Sequence, residues 1–225
     1  MKRLNVKAWV SLAALDVVLG ILLFVPAGTI DFWQAWVYLA VFSVCAAAIT
    51  LYLMKYDPAL LERRMSGGPT AEKEPTQRVI MTVISVAYIA MFVVSGLDRR
   101  YNWSDVPLPV VIGGNVLVVV GFVIEFLVFR ENSFTSATIE VDERQTVIST
   151  GPYALVRHPM YDGGLLMLLG TPLALGSWWA LVAFLPIAVG IVWRMRDEER
   201  FLKQHLPGYA EYCARVRSRL IPGVI

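Results

Sequence analysis

The sequence predicts an all-α integral membrane protein with about six membrane-embedded helices, the last two forming a short hairpin. Three observations predict it. Apolar residues make up 57% of the chain against 17% charged, and the mean hydropathy is +0.59, far from the balance of a water-soluble domain. Four apolar runs, 8–25, 33–54, 79–97 and 109–129, each approach the roughly 20 residues that cross a bilayer. Six crossings with both termini cytoplasmic place all but Arg99 and Arg100 of the 20 Lys and Arg on the cytoplasmic side, as the positive-inside bias requires.

The first run follows Lys2, Arg3 and Lys7, as in a signal peptide. It is long for such a segment and no A-x-A-like cleavage site closes it, so it reads as the first membrane helix. The stretch 55–78 carries Gly67, Gly68, Pro69 and Pro75 among charges and reads as a solvated connector without chemistry. Two shorter apolar runs, 163–175 and 178–193, flank Gly176 and Ser177, a break that suits a tight helical hairpin. At about 1.5 Å per residue they reach only about 20 to 24 Å, short of a hydrocarbon core about 30 Å thick. In the segment 130–157, Ile139 and Val141, then Val147 and Ile148, flank the polar residues 142–145, a pattern for extended chain packed against something. The tail continues helically from Arg194 to about Leu206 and breaks at Pro207 and Gly208. It resumes through Tyr209, Tyr212 and Val216 beside Arg215, Arg217 and Arg219, the pattern of an interfacial amphipathic helix. The chain thus divides into a four-helix membrane region, 1–129, and a C-terminal region, 130–225.

Composition and spacing exclude several classes. The basic residues form no single face with interleaved aromatics, so nucleic acid is not an expected partner. Cys45 and Cys213 have neither paired nor metal-ligand spacing, so neither a disulfide nor a zinc site is expected. A small transporter or scaffold is the non-enzymatic alternative, but transporters tend to carry matching repeats, and here the polar residues crowd the C-terminal half.

Two clusters carry the chemistry. The run 151–161 (Gly-Pro-Tyr-Ala-Leu-Val-Arg-His-Pro-Met-Tyr) stands directly before the hairpin. Pro159 holds His158 in extended backbone at the head of the next helix. The N–H groups and partial positive charge of that helix end suit a carboxylate. The alternative on local grounds is that Arg157 and His158 only anchor the helix at the lipid headgroups. The run 194–200 (Arg-Met-Arg-Asp-Glu-Glu-Arg) ends the last apolar run, with Arg194 and Glu198 one helical turn apart and Glu199 adjacent. By itself it could be a solvated charge run. Of two acids inside apolar runs, Glu125 lies close enough to a helix end to snorkel. Asp16, mid-run, suits either a helix-to-helix hydrogen bond or a part in substrate access.

Taken together, the run 146–153 (Thr-Val-Ile-Ser-Thr-Gly-Pro-Tyr), the block 157–161, the Glu198-Glu199 pair, the run 209–212 (Tyr-Ala-Glu-Tyr), Arg215-Val216 and the run 220–223 (Leu-Ile-Pro-Gly) resemble the C-terminal half of isoprenylcysteine carboxyl methyltransferases. Phospholipid N-methyltransferases share a looser version of the pattern. Membrane sterol reductases have a similar C-terminal arrangement but are much longer. The resemblance implies a membrane methyltransferase with S-adenosyl-L-methionine in a cytoplasmic-side pocket. That pocket would be lined by Gln145, Thr146, Val147, Ile148, Tyr153, His158, Pro159, Met160 and Tyr161, with Glu198 binding the cofactor. Arg194 would contact a lipophilic or lipidated acceptor whose carboxylate needs no base. The amine of phosphatidylethanolamine, the alternative acceptor, would need one, for which Glu199 is the candidate.

Overall fold

In the computed structural model, which describes residues 2–65, 72, 74–135 and 145–223, the described residues are helical with no strand among them. The helices are α1 (Lys2–Ala27), α2 (Trp33–Tyr56), α3 (Pro58–Arg64), α4 (Pro75–Tyr101), α5 (Leu108–Glu131), α6 (Pro159–Ala174), α7 (Leu181–His205) and α8 (Tyr209–Arg215), with a 3-10 turn at Gly151–Ala154. Four of them, α1, α2, α4 and α5, are long and apolar enough to cross a membrane. They coincide with the four long apolar runs. A backbone in hydrocarbon has only itself to bond, so such runs become helices whatever their β-branched content. Val17, Val25, Val86 and Val116 stand exposed on the outer surface, as lipid-facing side chains do.

Where helices meet, small residues let the backbones close up. Gly114 and Gly121 on α5 face Gly170 and Gly163 on α6, each pair seven residues apart and therefore two turns apart. A Cβ added at Gly121 would stand 2.5 Å from the Gly163 carbonyl oxygen, and one at Gly170 2.6 Å from that of Gly114. Gly96 brings α4 equally close to α1, where an added Cβ would lie 2.5 Å from the Leu23 carbonyl oxygen. Leu19, Leu23, Phe32, Tyr38, Phe92 and Phe122 fill the space between these helices.

α6 and α7 form the expected hairpin. α6 has 16 residues, about 24 Å by the helical rise, and α7 is charged from Arg194 onward, so neither matches the uninterrupted apolar length of the other four. The turn uses Gly176 at φ +72, with Ser177 N–H donating to the Pro172 carbonyl at 2.9 Å. Buried Asp98 at the end of α4 accepts from the Ser177 hydroxyl, from Ser104 N–H at 2.8 Å and from the Ser104 hydroxyl at 2.6 Å. One acid thus ties the hairpin turn to the α4–α5 connection.

The connector 55–78 departs from expectation, because it opens with α3. Asp57 caps it by accepting from Leu60 N–H at 2.9 Å, Pro58 occupies the first turn, and Leu60 and Leu61 are buried with Leu53, Val128 and Phe129. One apolar pair on two helical turns is too little to register in a hydropathy reading. Gly67, Gly68 and Pro69 lie outside the described residues, as do Ile139 and Val141. The tail follows the expected break: α7 runs unbroken to His205, Gly208 adopts φ +83, and α8 turns Tyr209 and Tyr212 into the protein.

The glycine seam makes a test. Gly170→Val should destabilise by about 1–3 kcal/mol, since the new Cβ meets backbone that cannot yield. Gly164→Val, where an added Cβ meets nothing within 4 Å, should leave stability unchanged. Thermal unfolding in detergent compares them, and equal midpoints would mean that the seam places no demand on side-chain size.

Candidate functional site

In the segment leading into α6, His158 precedes the helix as its N-cap, outside it, where the following Pro159 disfavours helical backbone. The exposed backbone of that segment is taken up by the chain's C-terminal stretch: Arg157 N–H donates to the Ser218 carbonyl at 3.0 Å and His158 N–H to the Arg219 carbonyl at 2.9 Å. The Arg157 guanidinium adds bonds to the Val216 and Arg217 carbonyls, both at 2.7 Å.

All of this converges on Glu199. Arg157 Nε reaches Glu199 Oε1 at 2.6 Å, Arg219 Nε reaches Oε2 at 3.1 Å, and the His158 ring stands 3.3 Å from Oε1. Glu199 and Arg157 are both buried. Burial works against a charge on Glu199, but hydrogen bonds from His158, Arg157 and Arg219 outweigh it and hold its carboxyl well below the usual carboxylate range.

Beside this hub lies a cavity with about 790 Å³ of empty space, including its mouth. Its wall contains Gln145, Thr146, Val147, Ile148, Tyr153, His158, Pro159, Met160, Tyr161 and Glu198, so the structure brings together all ten residues that the sequence pattern associated with one pocket. Glu198 is half-buried, accepts from the Tyr161 hydroxyl at 2.7 Å and lies 3.9 Å from His158 Nδ1. Burial and the neighbouring Glu198 carboxylate keep the Tyr161 phenol protonated. Leu202, Leu206, Tyr209 and Tyr212 close the cavity from α7 and α8. Tyr212 is pinned by donating to the Tyr153 carbonyl at 2.8 Å, and Tyr153 in turn receives Asn132 Nδ2 at 3.1 Å.

The remaining candidates lie elsewhere. Glu199 is in the hub and not on the cavity wall. Arg194 is buried next to the cavity rather than in it: its NH1 contacts Glu72 Oε1 at 2.7 Å and Gln77 Oε1 at 3.0 Å, while the guanidinium also interacts with the Tyr161 hydroxyl. Asp16 borders an open apolar groove with Gly20, Phe24 and Trp36, and its Oδ1 is buried without a hydrogen-bond partner. Glu125 faces α6 at Gly163.

Sequence reasoning missed the partners. Glu72 and Gln77 both lie in the stretch 55–78 that reads as solvated connector, and the headgroup-anchor reading of Arg157 does not reveal it as the main ligand of Glu199. Tyr209 and Tyr212 could have been found, since their i, i+3 spacing puts both on one face of a short helix.

The sequence model of a family described as phospholipid methyltransferase matches residues 109–207, from α5 to the break before α8. The cobalt-zinc-cadmium resistance protein CzcN of Cupriavidus metallidurans is 37% identical over 75 residues, covering 32% of this chain and 34% of that protein. A probable protein-S-isoprenylcysteine O-methyltransferase of Oryza sativa subsp. indica is 35% identical over 116 residues, 48% of this chain and 59% of that protein. Protein-S-isoprenylcysteine O-methyltransferase B of Arabidopsis thaliana is 32% identical over 146 residues, 61% of this chain and 70% of that protein. The chain therefore spans 34% and 59% of the first two relatives' lengths and more of the third.

The hub carries a pH signature. Glu199→Gln leaves buried Arg157 without its counter-charge and should cost about 3–5 kcal/mol. The Glu199 carboxyl is lowered by folding, so its contribution is complete above the unfolded value of about 4.3 and is lost as pH falls toward the lower folded value. Thermal unfolding from pH 8 downward should therefore show a constant gap between wild type and Glu199→Gln that begins to close below about pH 4. A gap that closes near neutrality would contradict this assignment.

Proposed function

The chain belongs to the isoprenylcysteine carboxyl methyltransferase family, and on that premise we propose that it methylates the carboxylate of a lipophilic, prenylcysteine-like acceptor with S-adenosyl-L-methionine as donor. The observation that carries this reading is the juxtaposition of the Glu198 cavity with buried Arg194, joined through the Tyr161 hydroxyl.

The cavity suits such a donor on its own chemistry. Its wall sets one carboxylate and several hydroxyl and amide groups against Val147, Ile148, Met160 and Leu202, a surface for a nucleoside with a charged tail. Glu198, oriented by Tyr161, would accept hydrogen bonds from the donor, and the start of α6 would offer its positive end to the donor's carboxylate. The faces of Tyr153 and Tyr161 would favour a sulfonium by cation–π contact. Bound there, the donor would supply an electrophilic methyl group whose transfer to an anionic oxygen, with the thioether as leaving group, gains from alignment and from exclusion of water.

Arg194 holds the acceptor's carboxylate through its planar fork, and Glu199 acts through the residues it positions. A carboxylate acceptor needs no base, whereas an amine acceptor does. Glu199, engaged by Arg157, His158 and Arg219, is poorly placed to be one, which favours the carboxylate over phosphatidylethanolamine. The charge distribution supports six crossings with both termini and the cavity on the cytoplasmic side.

Glu198→Gln turns a charge-assisted bond into a neutral one and should weaken S-adenosylhomocysteine binding by roughly tenfold, about 1.4 kcal/mol. Arg194→Lys keeps the charge but loses the fork, so that affinity should survive while methyl transfer falls by roughly tenfold or more. Titration beside a radiolabelled assay in membranes separates the two. Wild-type binding and turnover in both variants would move the site elsewhere, and label recovered in phosphatidylethanolamine would favour the amine. A cysteine introduced at exposed Trp179 should be labelled from the non-cytoplasmic side, and labelling from the cytoplasm alone would make the hairpin re-entrant.

A further inference from the structure

The guanidinium that the reading above assigns to the acceptor is already occupied by an anion. Arg194 is 7% exposed and Glu72 4% exposed, and Arg194 NH1 stands 2.7 Å from Glu72 Oε1. Gln77 steadies the pair from the first turn of α4: its carboxamide oxygen accepts from Arg194 at 3.0 Å while its Nε2 donates to Asp197 Oδ2 at 2.9 Å. On the cavity side the Tyr161 hydroxyl joins Arg194 to Glu198. A carboxylate from the chain itself is thus held on a buried arginine, one phenol away from the cavity.

We propose that Glu72 is a specificity-determining residue, an internal surrogate that fills the anion position on Arg194 until an acceptor bearing a free carboxylate takes its place. This inference rests on Arg194 being the acceptor's anchor.

Its physical basis is charge balance in a place withdrawn from water. Taking one member away from a buried ion pair leaves the other uncompensated, which is strongly unfavourable. A neutral or cationic head group therefore cannot draw Glu72 off Arg194, whereas exchange of one carboxylate for another keeps the balance. Discrimination then comes from a penalty on the wrong acceptor rather than from extra contacts to the right one. The same exchange governs release. Methylation converts the acceptor's anion into a neutral ester, the methyl arriving from the sulfonium while the electron pair of the broken bond stays on sulfur, so no proton has to move. The ester no longer competes for Arg194, and Glu72 returns.

The test uses the full chain in detergent and two probes, S-farnesylthioacetic acid and its carboxamide, with S-adenosylhomocysteine titration and thermal unfolding alongside. Wild type should bind the acid and not the amide. Glu72→Gln, having lost the competing anion, should bind the acid at least tenfold more tightly and be stabilised by it more than wild type is, with S-adenosylhomocysteine affinity unchanged. Glu72→Asp, which keeps the charge on a shorter arm, should bind the acid with intermediate strength, and it carries the test if Glu72→Gln does not fold. A purely structural Glu72 would weaken binding of the acid and of S-adenosylhomocysteine together; that result, or acid affinity equal to wild type, overturns the inference while leaving the acceptor reading in place. If all three proteins ignore both probes, and prenylcysteine is not methylated, the acceptor reading fails and takes this inference with it.

Discussion

Glu199 holds together three parts of the chain that share no local sequence. Arg157 and His158 come from the turn into α6, Arg219 from the C-terminal stretch, and the carboxylate itself from α7. Without that charge Arg157 would be a buried cation, and the backbone bonds from 157 and 158 to 218 and 219 would lose the side chains that hold them in register. The cavity is a consequence of this arrangement. His158 and Pro159 stand on its wall because the hub fixes the turn, and Tyr212 closes it because the tail is drawn across that turn. The most completely ligated acid in the region therefore shapes the site without facing it.

The hairpin is held at both ends by different means. At the far end Asp98 gathers Ser104 and Ser177; at the near end the Glu199 hub gathers the tail. Between them α6 lies against α5 along a seam of glycines, where backbone approaches backbone more closely than any side chain would allow. A helix shorter than the other membrane helices can sit firmly in a membrane protein when its glycines give it this much backbone contact. That contact also sets the start of α6, and with it Met160 and Tyr161, opposite the end of α5 at Asn132.

Three neighbouring acids and one arginine on α7 face different surroundings because a helix turns about 100° per residue. Arg194 meets Glu72 and Gln77, Asp197 meets Gln77, Glu198 turns to the cavity and Glu199 to the hub. The run that reads locally as a charged helix end is partitioned by its neighbours into a cation paired with Glu72, an acid on the cavity wall and an acid at the centre of the hub.

The sequence by itself determined the four long helices and the hairpin break at Gly176 and Ser177, and its resemblance to the methyltransferases implied part of the cavity wall, including the residues 145–148 and 158–161. These are properties of contiguous runs: lipid demands a certain length of apolar chain, glycine after a helix favours a turn, and residues adjacent in a motif stay adjacent in space. Only the tertiary structure decided that Glu72 pairs with Arg194, that α3 forms in what read as a solvated connector, that Arg157 and Arg219 belong to Glu199, and that Tyr209 and Tyr212 face inward. The physical reason is that hydropathy and motif order are sums over one stretch of chain, whereas an ion pair is a relation between two distant positions whose side chains must point at each other. That direction is set by how whole helices pack.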